Sequence, residues 1–346
     1  FGGKLTFHDK FHTAIWHLPD AWHLAPDTLD LITARKETYL MPGALPTVTP
    51  STIEDDLRRR DFTINSMAIR IDGDHFGELL DPLNGQADLQ EGLIRVLHPR
   101  SFIDDPTRIF RAIRYEARYS FILHHSSFNL INPEAMDVIP RLSGERIRHE
   151  LDLFFEEENS SQMILRAGEL SLFEKIHPSL PLFNPDYSYF LEMDPTLDIP
   201  TSKTEMGYML WLMDLLEDEI MSIGQRLYFT SDLTYSVWAV SQLKKSLPFL
   251  VGSTPSVWTY ALEKLPLLSI YVVYLVSRED ALLDFLSIWR HVKPHTTGNE
   301  LKARGLQPGP RFGEILREIR SAWLDGVLSS KAEEDSLLEK LLLENR

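Results

Sequence analysis

The strongest constraint on this chain is a change of period close to residue 102. Upstream of it, residues 3–18 (GKLTFHDKFHTAIWHL) and 28–34 (TLDLITA) mix alternation with β-branched and aromatic residues, the pattern of strands buried on at least one face. Downstream, apolar residues recur at helical spacing over 105–120, 144–158, 160–173, 205–223, 232–247, 255–276, 279–291 and 310–325. A chain divided in this way must set a small sheet before a long all-helical arm. Its 346 residues hold material for two or three domains at about 100–200 residues each. Pro and Gly near 178–200 and 248–254 are candidate boundaries, and no fixed-period repeat is found.

Between strands and arm, residues 37–53 carry three Pro, one Gly, four Thr and a Ser, which predicts a long loop. Residues 54–71 are expected to be helical, opening on Glu54, Asp55 and Asp56, acids that favour a helix N-terminus. A short strand is expected around Gly77–Leu80, followed by turn chemistry at Asp81-Pro82 and Asn84-Gly85.

Charge and composition narrow the function. Lys and Arg total 35 against 51 Asp and Glu, a formal charge of -16, which argues against coating nucleic acid by charge alone. Residues 95–118 run the other way, with six Arg against three acids, so a local site for one end of an anionic polymer remains open. The absence of Cys excludes disulfides, thiolate zinc and a cysteine nucleophile, and fits a cytoplasmic setting. The longest apolar stretch, 265–276, falls short of a membrane span, so no membrane partner is expected.

The most informative segment is Ser101 to Arg118 (SFIDDPTRIFRAIRYEAR). Pro106 suits a first helical position with Asp105 as its N-cap. At about 100° per residue, Arg108, Arg111, Arg114 and Arg118 share one stripe opposite Ile109, Ile113 and Ala117. Only Glu116 interrupts it, and guanidinium forks suit phosphates or base edges. The equal alternative is a surface helix whose arginines pair with acids elsewhere. In a second segment, Asp56 to Ala68 (DLRRRDFTINSMA), Arg58, Arg59 and Arg60 point three ways, so at least one is expected to pair with Asp56 or Asp61. Thr63 and Asn65, polar in an apolar run, need hydrogen-bond partners if buried.

These two segments, with Leu80-Asp81-Pro82-Leu83-Asn84-Gly85 and Asp88-Leu89 between them, closely resemble the class II tRNA nucleotidyltransferase and bacterial poly(A) polymerase family in order and spacing. The likeness continues through Leu172 to Pro178 and Leu306 to Gly313, and so covers nearly the whole chain. It implies an α+β protein: a polymerase-β-like nucleotidyltransferase head, here N-terminally incomplete, then an elongated all-helical neck, body and tail that hold RNA. The expected divisions are a head over 1–99, a neck over 100–165, and a body and tail over 166–346.

The resemblance also implies roles. Asp105 and Arg108 match the pair that reads the incoming base. Arg111, Arg114 and Arg60 match positions that contact the nucleotide, with Asp61, Thr63, Asn65 and Asp104 in support. Asp104 stands where the family has Glu, one methylene longer, and Ser66 where a small Ala is usual, a change expected to be tolerated. No Gly-Gly-x-x-Arg-Asp stretch leading to Asp-x-Asp occurs; Gly2-Gly3 is not it, because the residues after it resemble the strands that follow that acid pair. The expectation is a chain cut upstream of Phe1, inactive alone because the acids that hold Mg2+ are missing. Asp30 is a candidate third carboxylate, with a plain acid at a strand end as the equal alternative. Arg311, after Pro308-Gly309-Pro310, is a candidate RNA contact, with an interhelical turn as the equal alternative. The implied activity is addition of CMP, AMP or both to tRNA 3' ends from CTP and ATP, releasing pyrophosphate. The loop at 37–53 leans toward an enzyme able to add A. A poly(A) polymerase and a catalytically inactive RNA-binding protein are the alternatives.

Other features carry bland readings. A metal pair at His8 and His12 is not expected on a strand, His124-His125 are turn histidines, and no Gly-x-Ser-x-Gly elbow is present. The Trp and Tyr residues of 205–276 are expected to be core.

Overall fold

The computed structural model describes residues 2–8, 13–19, 27–182 and 195–343. His12 and Asp9, and the side chain of His8, lie outside the described residues. The chain separates into two compact units, Phe1–Pro178 and Ser179–Arg346.

The first unit opens with β1 (Lys4–His8), β2 (Thr13–His17) and β3 (Thr28–Ile32), an antiparallel sheet in the order β1-β2-β3, with Leu5 opposite Trp16 and Ile15 opposite Asp30. The expected loop at 37–53 is in part a hairpin. β4 (Arg35–Thr38) pairs with β5 (Thr47–Pro50), placing Thr38 opposite Thr47 and Pro50 at the far end of an edge strand, where a missing N–H costs little.

Thr52 then caps α1 (Ile53–Arg58), its hydroxyl accepting from the Asp55 amide at 3.2 Å. The helix expected to reach residue 71 stops at Arg58. Phe62 turns to extended backbone, forms a bridge to Val96 and is fully buried, while the Thr63 amide donates to the Arg95 carbonyl at 2.9 Å. Burying an aromatic ring in a long-range pairing outweighs the local helical pattern. A 3-10 turn at Thr63–Asn65 leads into β6 (Ala68–Ile69), which pairs with β7 (Leu79–Leu80).

Asp81 next accepts from the amides of Gly85 (2.6 Å) and Gln86 (2.9 Å), starting α2 (Gly85–Glu91). A Cβ at Gly85 would sit 2.2 Å from the Thr63 carbonyl oxygen, so only glycine lets these backbones approach. β8 (Leu93–Ile94) runs parallel to β9 (Ile122–Leu123), with α3 (Ser101–Asp104) and α4 (Thr107–Tyr119) between them. Short helices α5 (His125–Phe128) and α6 (Pro133–Met136) precede α7 (Gly144–Glu156), α8 (Ser160–Glu169) and α9 (Leu172–Ile176). α4 packs on α7 and α8, and its Ile109, Phe110 and Ile113 join Phe154, Phe155 and Leu151 in the core.

The second unit is helical among its described residues: α10 (Lys203–Leu212), α11 (Glu217–Leu227), α12 (Ser231–Leu250), α13 (Pro255–Leu262), α14 (Leu267–Ser277), α15 (Asp280–Ser287), α16 (Gly298–Ala303), α17 (Pro310–Leu324) and α18 (Lys331–Leu343). The span read as one helix over 255–276 is two, because Pro266 lacks an N–H and takes extended backbone. Tyr208, Trp211, Trp258 and Tyr271 are buried, as expected of core aromatics, but Tyr228, at the end of α11, and Tyr235, on the outer face of α12, are exposed. Glu334 is fully buried, yet it accepts from the amides of His295 and Thr296, the Thr296 hydroxyl and the Trp323 indole. These bonds outweigh burial and hold its carboxyl below the usual range. No described helix is long and apolar enough to cross a membrane.

Candidate functional site

The arginine-rich segments meet in the first unit. The turn after α1, the 3-10 turn, α4, α7 and the hairpin line an open cavity of about 580 Å³. Its wall includes Arg60, Asp61, Asn65, Asp105, Arg108 and Arg111, six of the residues singled out in the sequence. Glu37, Tyr39, Arg59, Thr107, Tyr115 and Glu150 complete it.

Asp105 builds the start of α4. Its Oδ1 accepts from the Thr107 amide (3.2 Å) and hydroxyl (2.7 Å), with Pro106 at φ -63°, which is the cap expected from the sequence. The same oxygen accepts from Arg146 Nη2 at 2.8 Å, while Arg146 Nη1 donates to the Gly43 carbonyl at 2.6 Å. Among the described residues Oδ2 has no hydrogen-bond partner. Arg108, three residues on, donates from Nη1 to Ser101 Oγ at 2.6 Å and from Nη2 to the Arg59 carbonyl at 3.0 Å.

The rest of the arginine stripe pairs with acids distant in sequence. Arg111 Nε meets Asp61 Oδ2 at 2.8 Å, Arg114 Nη1 meets Glu150 Oε2 at 3.3 Å, and Arg118 binds Glu157. The two readings of this helix therefore divide along it: Arg108 and Arg111 face the cavity, whereas Arg114 is buried and does not line it. Arg59 bonds Asp56 (2.8 Å) and Glu37 (2.7 Å), and Arg60 bonds Asp56 at 3.2 Å, so two of the three arginines pair with Asp56 as expected. Arg60 remains partly open to solvent.

The supporting residues have partners too. Asn65 donates to Asp61 Oδ1 at 2.9 Å and lies 3.2 Å from the Tyr115 hydroxyl, and Thr63 donates to Asp88 at 2.6 Å. Buried Ser66 donates to the Phe62 carbonyl at 2.9 Å, so the hydroxyl is accommodated. Asp104 lies 3.5 Å from Arg100 Nε.

The electrostatics follow from these contacts. Burial works to raise Asp61, but Arg111 and the hydrogen bonds from Asn65, Arg111 and the Phe62 amide outweigh it, and the carboxyl falls below its ordinary value. Burial raises Glu150 against the opposing pull of Arg114 and Arg111. Burial and then Glu37, which accepts from the Tyr39 hydroxyl at 2.9 Å, push Tyr39 well above the phenol range.

The implied Mg2+ does not fit the residues present: no group of three or more His, Asp or Glu able to hold an ion occurs among the described residues. Asp30 sits exposed on β3. Asp72 and Asp74 have Asp-x-Asp spacing but lie in an exposed turn, with Asp72 held by Arg70. In the second unit, α17 opens at Pro310 as expected, and Arg311 bonds Glu314 on its own helix (3.0 Å) and the Leu341 carbonyl on α18 (3.4 Å).

Sequence reasoning missed Tyr39, Glu37, Arg146 and Glu150. Arg146 and Glu150 stand at i,i+4 spacing on an amphipathic helix, the signal available for the last two, although each binds a partner on another element.

Residues 5–95 match the family described as Poly A polymerase head domain. An A-adding tRNA nucleotidyltransferase of Halalkalibacterium halodurans is 30% identical over 343 residues, taking in 95% of this chain and 77% of that protein. One from Geobacter sulfurreducens is 32% identical over 373 residues, taking in 98% of this chain. The chain spans 40% of the length of that relative. A solved structure of a CCA-adding enzyme with ATP has a TM-score of 0.75 at 29% identity, covering 100% of this chain and 81% of that one. The blocks first read in the sequence thus sit on the fold of their relatives, and the chain belongs to the tRNA nucleotidyltransferase and poly(A) polymerase family.

Proposed function

We propose that this chain carries the nucleotide-reading part of a tRNA nucleotidyltransferase that adds AMP, CMP or both to RNA 3' ends. The observation that carries the reading is Asp105 and Arg108 together on one wall of the cavity, one with a free acceptor oxygen and the other with guanidinium donors. Adenine and cytosine both present an exocyclic amine beside a ring nitrogen acceptor, so a carboxylate next to a guanidinium matches either edge. Guanine and uracil present a ring N–H there and are mismatched, which leaves a buried polar group unpaired.

Arg60 and Arg111 line the same cavity and offer forked donors to phosphates. In the transfer itself, the RNA 3'-hydroxyl oxygen bonds to the α-phosphorus as the bond to pyrophosphate breaks. The described residues bind and orient the nucleotide for that step; no metal-held step is assigned to them. We assign metal-dependent transfer to groups outside the described residues and expect the chain alone to bind nucleotide without transferring it. AMP is favoured over CMP, since both relatives compared above are named A-adding.

Equilibrium titration of Arg108→Ala with ATP, CTP, GTP and UTP tests the reading. Discrimination for ATP or CTP over GTP and UTP is expected to fall about tenfold or more, the weight of a hydrogen bond to a charged group. Unchanged discrimination refutes the reading.

A further inference from the structure

Arg108 is a buried cation without an acid. It is 5% exposed, and among the described residues no carboxylate oxygen lies within 4.0 Å of its guanidinium. Two neutral oxygens fix it instead, Ser101 Oγ at 2.6 Å and the Arg59 carbonyl at 3.0 Å. Ser101 is itself fully buried at the start of α3, and its carbonyl accepts from the Asp105 amide at 3.2 Å. One residue thus touches both members of the reading pair, through its hydroxyl on one side and its backbone on the other. Asp104, four residues before Arg108, lies against Arg100 instead.

The kind of acceptor matters. A carboxylate both orients a guanidinium and cancels its charge, whereas a hydroxyl orients it and leaves the charge in place. The neighbourhood registers that charge, since burial and then Arg108 hold the His98 imidazole below its ordinary value.

We propose that Ser101 is a positioning residue for base selection: its hydroxyl holds the Arg108 guanidinium in register with Asp105, and its neutrality keeps Arg108 a strong donor toward a ring acceptor. The inference rests on the reading of Asp105 and Arg108 given above. Without Oγ, Nη1 loses its anchor and the guanidinium can turn to suit edges that it otherwise rejects.

The test is equilibrium binding of ATP, CTP, GTP and UTP to the full chain, comparing the unaltered protein with Ser101→Ala, Ser101→Thr and Arg108→Ala, each checked by a melting curve. Ser101→Ala is expected to cut the preference for ATP or CTP over GTP and UTP roughly tenfold, and Ser101→Thr, which keeps the hydroxyl, to restore it. A purely structural role would lower the melting temperature or weaken all four nucleotides alike with the ratio intact, and that result overturns the proposal. So does a lost ratio that the threonine variant, folded by its melting curve, leaves lost. If Arg108→Ala abolishes the preference while Ser101→Ala preserves it, only the role of Ser101 fails. If Arg108→Ala also preserves it, or the unaltered chain binds no nucleotide, the reading of the pair fails as well.

Discussion

Asp61 shows how one side chain can organise a site. It accepts from the Phe62 amide, Asn65 and Arg111, tying the turn after α1 to α4 across 50 residues of chain. Its carboxyl is held below the usual value, so the folded state binds a proton less readily than the unfolded one. The stabilisation is therefore complete above the ordinary value of 3.8 and is lost as pH falls through the lower folded value. Asp56 and Asp88 carry the same sign. Asp61→Asn is expected to flatten the stability curve below about pH 4 and to cost about 1–3 kcal/mol at neutral pH in urea unfolding. Glu150 has the opposite sign. Burial raises its carboxyl, so on acidification it takes up a proton above the ordinary glutamate value of 4.5 and removes a negative charge from the cavity wall. Binding of a nucleoside triphosphate should strengthen as pH falls through that raised value, and Glu150→Gln should remove this part of the dependence. A pH series of dissociation constants checks both.

At the scale of elements, what could be read from the sequence was whatever depends on near neighbours. The helix from Asp105, its cap and its arginine stripe follow from residues within one or two turns. The partners of that stripe did not, because Asp61, Glu150 and Glu157 lie 50, 36 and 39 residues from the arginines that they bind. The end of α1 is set by a distant contact for the same reason. Nothing local separates 59–71 from a helix; the burial of Phe62 against Val96 does. At 37–53 composition alone points to a loop, but an edge strand tolerates both Pro and Thr, and part of the span pairs as a hairpin. The family blocks were legible because Gly85, Asp81 and Thr63 answer steric and hydrogen-bonding needs that admit few other residues.

At the scale of the whole molecule, the chain forms two compact units. The cavity belongs wholly to the first, Phe1–Pro178, and the buried Glu334 to the second. In the second, Leu301, Ile315, Ile319, Leu338 and Leu341 form a cluster beside the loop that Glu334 holds. Glu334→Ala strands two amides, a hydroxyl and an indole N–H, at a cost of about 2–4 kcal/mol. It is expected to lower the stability of the second unit while leaving nucleotide affinity in the first unchanged; a denaturation curve and a titration on the same sample separate the two effects.

The same division decides what light can report. Of the seven tryptophans only Trp16 and Trp22 precede residue 178, the other five belong to the second unit, and among the described residues none lines the cavity, whose described aromatic residues are Tyr39 and Tyr115. Intrinsic emission excited at the red edge of the indole band is therefore expected to be dominated by the second unit and to report chiefly its unfolding. A tryptophan placed beside Tyr115 would give a signal from the site itself.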